Sequence, residues 1–405
     1  MFLSGVQFRT RLDSRLKHAG MTDFGEAIYL TQQAAGNRPT EIERESRTRS
    51  QMVKKQKIVV AMSGGVDSSV TAALLVEQGY DVEGVSLRMW EGELGPRVCS
   101  DHRGAKEVAN ALGIPHTLLD LRAQFVETVV KPFAADYLHG RTPNPCVACN
   151  RDFKLGTLLQ WAKAQDAEFV ATGHYARVTR DSSASHAMLF RGADRTKDQS
   201  YFLFALSHEQ LDHALFPLGD VQKSEVREKA RQLGLPVAER PESQDICFGD
   251  YKALVESYAN EEELSAGDFV DRSGKVLGQH GGIHRVTVGQ RRGLGISAAE
   301  PLYVVGIDDE TKQVVVGKKD ELRCAGLIAR SVHWLESPVD TEMEAEVQIR
   351  YRAPAILCTI RNSSDGACEV QFKEAFPAVT PGQAAVFYSG EQVLGGGWIE
   401  SALRA

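Results

Sequence analysis

The chain has 405 residues, a formal charge of −7, 42% hydrophobic and 25% charged residues. That length accommodates two or three domains with cores of their own, and the balance is that of a soluble globular protein rather than a general polyanion binder, although a local basic groove can persist under an acidic total. No apolar run approaches the ~18 residues of a membrane span, and the seven cysteines, at 99, 146, 149, 247, 324, 358 and 368, are too scattered for a disulfide scaffold, which points to a reducing, cytoplasmic setting.

Residues 1–55 are rich in Arg, Gln, Thr and Ser and lack periodicity, so they read as a disordered N-terminal extension or a mis-assigned start with Met52 as the true one. Arg9, Arg11, Arg15 and Lys17 against a single Asp13 give the opening the look of a transit peptide.

Regular structure begins at Lys57. Ile58, Val59 and Val60 suit a buried parallel strand, and Ser63-Gly64-Gly65 follows at once, so the turn is tight. Adjacent glycines let an anion approach backbone N–H groups, and Asp67, Ser68 and Ser69 offer N-caps for a helix that Gly79 ends. The expected anion site therefore lies at a helix N-terminus. There is no Gly-Lys-Ser/Thr ending, which excludes a Walker A loop.

Strands and helices then alternate, which predicts a doubly wound parallel sheet. Strands are expected at Asp81–Met89, Pro115–Leu121 and Glu168–Thr172, and helices at His102–Leu112, Gln124–Leu138 and Phe153–Ala164. The glycine turn and the Gly173-His174 corner both fall at the carboxyl edge of that sheet, where ligands bind in such folds. Between two helices, the prolines of Arg141–Arg151 predict a loop carrying Cys146 and Cys149. One C-x-x-C is half of a four-cysteine zinc site and no second occurs, which leaves a redox or chemical role open.

A polar turn is expected at Asp181–Arg191, a helical segment after Arg195, and a helix capped by Ser224 and ended by Gly234, with its polar residues on the surface. Cys247 lies beside Ile246 and Phe248, and taken alone such a cysteine reads as a small core residue. Beyond about residue 255, glycines and short strands take over. Residues 280–295 read as a strand between glycine turns, 303–317 as a hairpin, and the strands from 327 onward as a small β-barrel.

The motif SGGVDSS at 63–69 resembles the pyrophosphate loop of the PP-loop ATP pyrophosphatases, which cleave ATP between its α and β phosphates. Read together with TPNPxxxCN at 142–150, ATGHYA at 171–176, KDQSYFL at 197–203, SQDICF at 243–248, VGQRRGLG at 288–295, RYR at 350–352 and TPGQAAVFY at 380–388, the chain from about residue 57 resembles the bacterial tRNA-specific 2-thiouridylases (MnmA or TrmU). The resemblance implies an α/β catalytic domain of the PP-loop type over 56–254, a small central domain over 255–325 and a C-terminal β-barrel over 326–405. It implies a monomeric enzyme that adenylates the 2-oxygen of the wobble uridine of tRNA and replaces it by sulfur from a persulfide on Cys247, with Cys149 resolving. The implied partners are ATP with Mg²⁺, tRNA, and a sulfur donor that is a cysteine desulfurase or relay protein.

Carried across position by position, Ala61, Met62, Ser63, Gly64, Gly65, Val66, Asp67, Ser68, Leu87 and Gly173 would hold ATP. Asn144, Pro145 and Cys146 would flank the target base, and His174, Lys197, Asp198, Gln199, Arg350, Tyr351 and Gln383 match tRNA-contacting positions. The family commonly reads Asn-Pro-Asp where this chain has Cys146, so that thiol would serve as acid/base, as a spare resolving thiol, or with Cys149 and Cys247 as a ligand of an iron–sulfur cluster. Cys99 is a further thiol in the region. Two other readings compete: a PP-loop ligase or amidotransferase acting on a small molecule, and an RNA-binding protein that keeps ATP as a structural ligand.

Overall fold

The computed structural model describes residues 55–91, 101–181, 184–241, 246–247, 249–336, 342–363 and 366–404. The expectations for residues 1–54, for Cys99 and for Ser243, Gln244, Asp245 and Phe248 lie outside these.

Strand β1 (Lys57–Ala61) is the centre of a five-stranded parallel sheet. Its neighbours are β2 (Asp81–Arg88) and β4 (Phe169–Ala171), with β3 (His116–Asp120) and β7 (Ala214–Leu215) outside them, in the order β3-β2-β1-β4-β7. Successive side chains of β1 point to opposite faces. Ile58 and Val60 pack with helices α1 (Val66–Glu77) and α2 (His102–Leu112), while Val59 packs on the other face with Phe125, Phe153 and Leu158. All three strand residues are fully buried. The sheet is covered on both sides, which is the doubly wound arrangement expected from the alternating pattern.

Helix α1 begins at Val66 with Gly65 in the N-cap position. Asp67, Ser68 and Ser69 therefore lie in its first turn rather than capping it, and the two serine hydroxyls donate back to Gly65 O at 3.2 and 2.8 Å. Helix α3 comprises the continuous runs Arg122–Phe125, Val126–Val130 and Lys131–Leu138, with a widened turn ahead of Pro132, which has no N–H to give.

Helix α4 comprises Pro145–Ala148, Cys149–Thr157 and Leu158–Ala164. It starts eight residues earlier than expected, and Cys146 and Cys149 sit on its first turns rather than in a loop. Asn144 is the N-cap, accepting from Cys146 N at 3.2 Å, and Pro145 takes the first helical position, where a missing N–H costs nothing. Three positions apart, the two cysteines share one helix face.

The polar turn joins β5 (Ala176–Thr179) to β6 (Met188–Arg191) as an antiparallel hairpin. After Arg195 only a 3₁₀ turn forms, Ser200–Phe202. The Asp198 carboxylate accepts from Gly192 N and Ser200 N, and this local competition replaces a helix. A short α5 (His208–Asp212) precedes β7. Helix α6 (Lys223–Gln232) is capped by Gln222 in a reciprocal box with Glu225, not by Ser224.

Helix α7 (Tyr251–Tyr258) leads to a four-stranded sheet of β8 (Gly267–Val270), β9 (Val276–His280), β10 (Tyr303–Asp308) and β11 (Gln313–Gly317), with the expected β10–β11 hairpin. Residues 283–285 form a 3₁₀ turn where a strand was expected. Six strands then close a barrel in the order β12-β15-β14-β13-β16-β17, with β17 paired back to β12. They are β12 (Arg323–Trp334), β13 (Glu342–Gln348), β14 (Ile356–Asn362), β15 (Cys368–Pro377), β16 (Ala384–Ser389) and β17 (Gln392–Arg404). Hairpin β5–β6 joins the barrel sheet through Phe190 opposite Gln392. The barrel is thereby fastened to the parallel-sheet unit beside its carboxyl edge.

Candidate active site

The turn between β1 and α1 is shaped to receive an anion. Gly64 has φ +76°, a conformation that glycine adopts without strain. No side chain caps α1, so its first amides are open to an external acceptor. Within the turn, Ser68 Oγ accepts from Ser63 N at 3.2 Å and Ser63 Oγ accepts from Gly65 N at 3.4 Å. These are long bonds that phosphate oxygens could replace. Gly173, beyond β4, presses against the same turn: a Cβ there would lie 2.8 Å from Ser68 N and 2.9 Å from the Asp67 carbonyl carbon.

The turn, the end of β4 and the start of α4 enclose a cavity of about 340 Å³. Ala61, Met62, Ser63, Asp67, Ser68, Leu87 and Gly173 line one side, and Pro145, Cys146, Cys149, His174, Gln199 and Cys247 the other. Gly64, Gly65 and Val66 form the turn itself and are not part of the wall. Met89 and Phe125 supply apolar surface between the two sides, and Met89 Sδ lies 3.8 Å from Cys149 Sγ.

The remaining expected residues lie outside this cavity. Asn144 borders a separate cleft of about 400 Å³ with Arg141, Arg151, Arg330 and Trp398. Arg350 donates from Nη2 to Ala378 O at 2.6 Å and to Thr380 Oγ1 at 2.9 Å, and Gln383 donates to Thr142 O at 2.7 Å. The Tyr351 ring packs 4.5 Å from that of Phe202. Lys197 is half-buried in the turn ahead of Ser200. Asp198 is an interior group: its side chain is 8% exposed and is engaged by Arg191, Gly192 N and Ser200. These residues stand at the seam between barrel and parallel sheet.

The three cysteines at the cavity are thiols. Burial pushes Cys149 up to about 12, against the pull of Lys154, with Cys247 and Cys146 adding to the rise. Burial likewise pushes Cys146 up to about 11, and Cys247 contributes there too. All three therefore lie within electrostatic reach of one another. Burial, reinforced by Lys154, holds His174 well below the usual histidine range, and its Nδ1 is 2.6 Å from Thr172 Oγ1. Burial thus favours the neutral forms of Cys146, Cys149 and His174, with Lys154 drawing both thiols back down.

Residues 56–250 match the tRNA methyl transferase HUP domain, 252–318 the tRNA methyl transferase PRC-barrel domain, and 324–399 the aminomethyltransferase beta-barrel domain. The tRNA-specific 2-thiouridylase MnmA of Geotalea uraniireducens is 48% identical over 364 residues, which cover 87% of this chain and 96% of the relative. That of Syntrophotalea carbinolica is 49% identical over 353 residues, covering 85% and 99%. The chain belongs to the MnmA family.

Three residues of this MnmA family member escaped the sequence reading. Lys223, on α6, is 9% exposed and places Nζ 2.6 and 2.7 Å from the two carboxylate oxygens of Asp67. Tyr175 is 3% exposed and donates its hydroxyl to Asp67 Oδ1 at 2.8 Å. Lys154, on α4, lines the cavity beside the thiols. Lys223 lies just ahead of the helix expected from Ser224 and belongs to no motif that marks it. It is the first residue of α6, next to the Gln222 cap, and is buried between exposed neighbours.

Proposed function

We propose that the protein replaces the 2-oxygen of the wobble uridine of tRNA by sulfur, at the expense of ATP. The observation that carries this is the convergence, on one cavity at the carboxyl edge of the sheet, of the anion turn at Ser63–Ser68 with Cys149 and Cys247. A phosphate site alone would serve any nucleotide ligase, and paired thiols alone a redox protein. The two together suit activation of an oxygen followed by sulfur delivery.

In this reading the turn and the N-terminus of α1 hold the triphosphate with its α-phosphorus toward the thiol side. The uridine 2-oxygen attacks that phosphorus, the bond to the β-phosphate breaks, and pyrophosphate leaves. The ring carbon then carries AMP as its leaving group in place of an oxide. A persulfide on Cys247, charged by an external persulfide donor, attacks the carbon with its terminal sulfur, and AMP departs. The Cys149 sulfur attacks Cys247 Sγ of the adduct, closing a Cys149–Cys247 disulfide and releasing thiouridine. An external thiol reduces the disulfide. A uridine splayed from an anticodon loop would enter past Pro145, Cys146 and Gln199.

Cys146, pushed up to about 11, holds its proton at pH 7 and can donate it but cannot act as a base. Mg²⁺ would come with the triphosphate, whose oxygens are its natural ligands; Asp67, already engaged by Lys223 and Tyr175, is the nearby protein carboxylate. An iron–sulfur cluster does not fit as well, since among the described residues no group of three His, Cys, Asp or Glu side chains is arranged to hold a metal.

The test is mass analysis of tRNA nucleosides after incubation with ATP, a persulfide donor and unmodified tRNA. Wild type is expected to form 2-thiouridine, while Cys247→Ser binds ATP and forms none. Full thiolation by Cys247→Ser would overturn the reading, and ATP–pyrophosphate exchange with a small molecule in the absence of RNA would favour a ligase.

A further inference from the structure

Arg240, seven residues ahead of Cys247 in the sequence, touches the phosphate turn. Arg240 donates from Nη1 to Gly64 O at 2.6 Å and from Nη2 to Asp101 Oδ2 at 2.5 Å. Asp101 in turn donates its amide to Ser63 O at 2.9 Å and accepts from Gly104 N at 3.2 Å, capping α2. Two successive carbonyls of the turn, Ser63 and Gly64, are therefore held from one side.

A trans peptide is planar, so its C=O and N–H point in opposite directions. Fixing Gly64 O on Arg240 fixes Gly65 N–H the other way, toward Ser63 Oγ on the cavity wall. Fixing Ser63 O on Asp101 does the same for Gly64 N–H. Successive N–H groups aligned in this way make an anion nest. The fit leaves no slack: a Cβ on Gly64 would lie 2.3 Å from Asp101 O, and one on Gly104 would lie 2.9 Å from Arg240 Nη1.

The Arg240–Asp101 ion pair is itself of little worth, since the side chains are 42% and 36% exposed. Arg240 is not part of the cavity wall either. Its effect runs through the Gly64–Gly65 peptide.

We propose that Arg240 is a positioning residue for the nucleotide: its bond to Gly64 O holds the Gly64–Gly65 peptide with the N–H aimed at the triphosphate. This rests on the reading of the turn as the triphosphate site.

The test uses the full chain and MgATP. Calorimetric titration is run on wild type, Arg240→Met and Arg240→Lys, with circular dichroism to confirm folding, and the KM for ATP and kcat are read from thiolation. Loss of one charge-assisted hydrogen bond should weaken MgATP binding by about 10- to 100-fold in Arg240→Met. KM for ATP should rise with it, while kcat at saturating ATP stays near wild type. Arg240→Lys, whose ammonium can still reach Gly64 O, should recover most of the affinity. Unchanged affinity in a folded Arg240→Met overturns the proposal, and so does an Arg240→Lys as weak as Arg240→Met, because the guanidinium's packing rather than its bond would then be at work. A wild-type chain that fails to bind MgATP overturns both the proposal and the reading beneath it. If wild type binds MgATP but forms no thiouridine, only the thiolation reading falls, and the titration of the variants still decides the proposal.

Discussion

Lys223 and Asp67 are 156 positions apart in the chain, yet the lysine ammonium lies 2.6 and 2.7 Å from both carboxylate oxygens. The pair joins α6 to the first turn of α1, and with the Tyr175 hydroxyl it fixes the Asp67 carboxylate beside the anion turn.

Removing the lysine leaves that carboxylate without its cation. Breaking a fully buried pair costs about 3–5 kcal/mol. Asp67 is 32% exposed, so water offsets part of this, and about 2 kcal/mol is expected for Lys223→Met after that discount. Urea denaturation measures it. ATP-dependent pyrophosphate release should fall more than tenfold in Lys223→Met, more than the stability change alone explains at temperatures where the variant stays folded.

Gly173→Ala tests how closely β4 approaches the turn. The added methyl meets backbone atoms of Asp67 and Ser68, which cannot rotate away as a side chain would. A destabilisation of about 1–3 kcal/mol is expected from such overpacking. Titration of folded Gly173→Ala with MgATP should show binding lost or strongly weakened, and wild-type affinity would mean that the turn tolerates displacement.

The raised thiols set a pH dependence. Burial pushes Cys146 and Cys149 up to about 11 and about 12, from a free value near 8.5. The folded state thus favours the neutral thiols, so their contribution to stability is complete below pH ~8.5 and is lost as pH rises through that value toward the folded values. Alkylation by iodoacetamide, followed by peptide mass analysis, should be slow for both cysteines at pH 7 and accelerate steadily up to pH 10. Because Lys154 pulls both values down, Lys154→Met should slow alkylation of both thiols further. A rate plateau near pH 8 would contradict the burial.

Cys146→Asp distinguishes a proton donor from an essential thiol. The substitution puts a carboxyl group where the Asn-Pro-Asp pattern implied by the resemblance would have one. Thiolation within a few-fold of wild type, read by nucleoside mass analysis, is expected if Cys149 and Cys247 are the sulfur-handling pair. Loss of thiolation with ATP binding intact would place Cys146 in that pair instead.

Much of the parallel sheet could be read directly from the chain. The run Ile58–Val60 alternates between two helical layers, and helix α2 occupies its expected span, because periodicity reports burial directly. The start of α4 is hidden in the sequence because Pro143 and Pro145, taken alone, are helix breakers. In context, Asn144-Pro145 is an N-cap followed by a first-turn proline, and the cysteines gain a helical face from it. Asp198, at a position the resemblance assigns to RNA contact, is turned inward onto Arg191, whose guanidinium lies 3.3 Å over the Tyr388 ring. No local pattern distinguishes an exposed Lys-Asp-Gln from a buried one.

From the sequence alone came the local chemistry: a strand running into a glycine turn that accepts an anion, cysteines at 146, 149 and 247, and strands enough for a barrel. Backbone conformation and burial periodicity depend on neighbouring residues, and neighbours are written in the chain. Tertiary structure alone decided that Lys223 and Tyr175 hold Asp67, and that Arg240 grips Gly64 O. Those contacts join segments many tens of residues apart, and whether a polar side chain meets water or a partner is settled only when the layers pack.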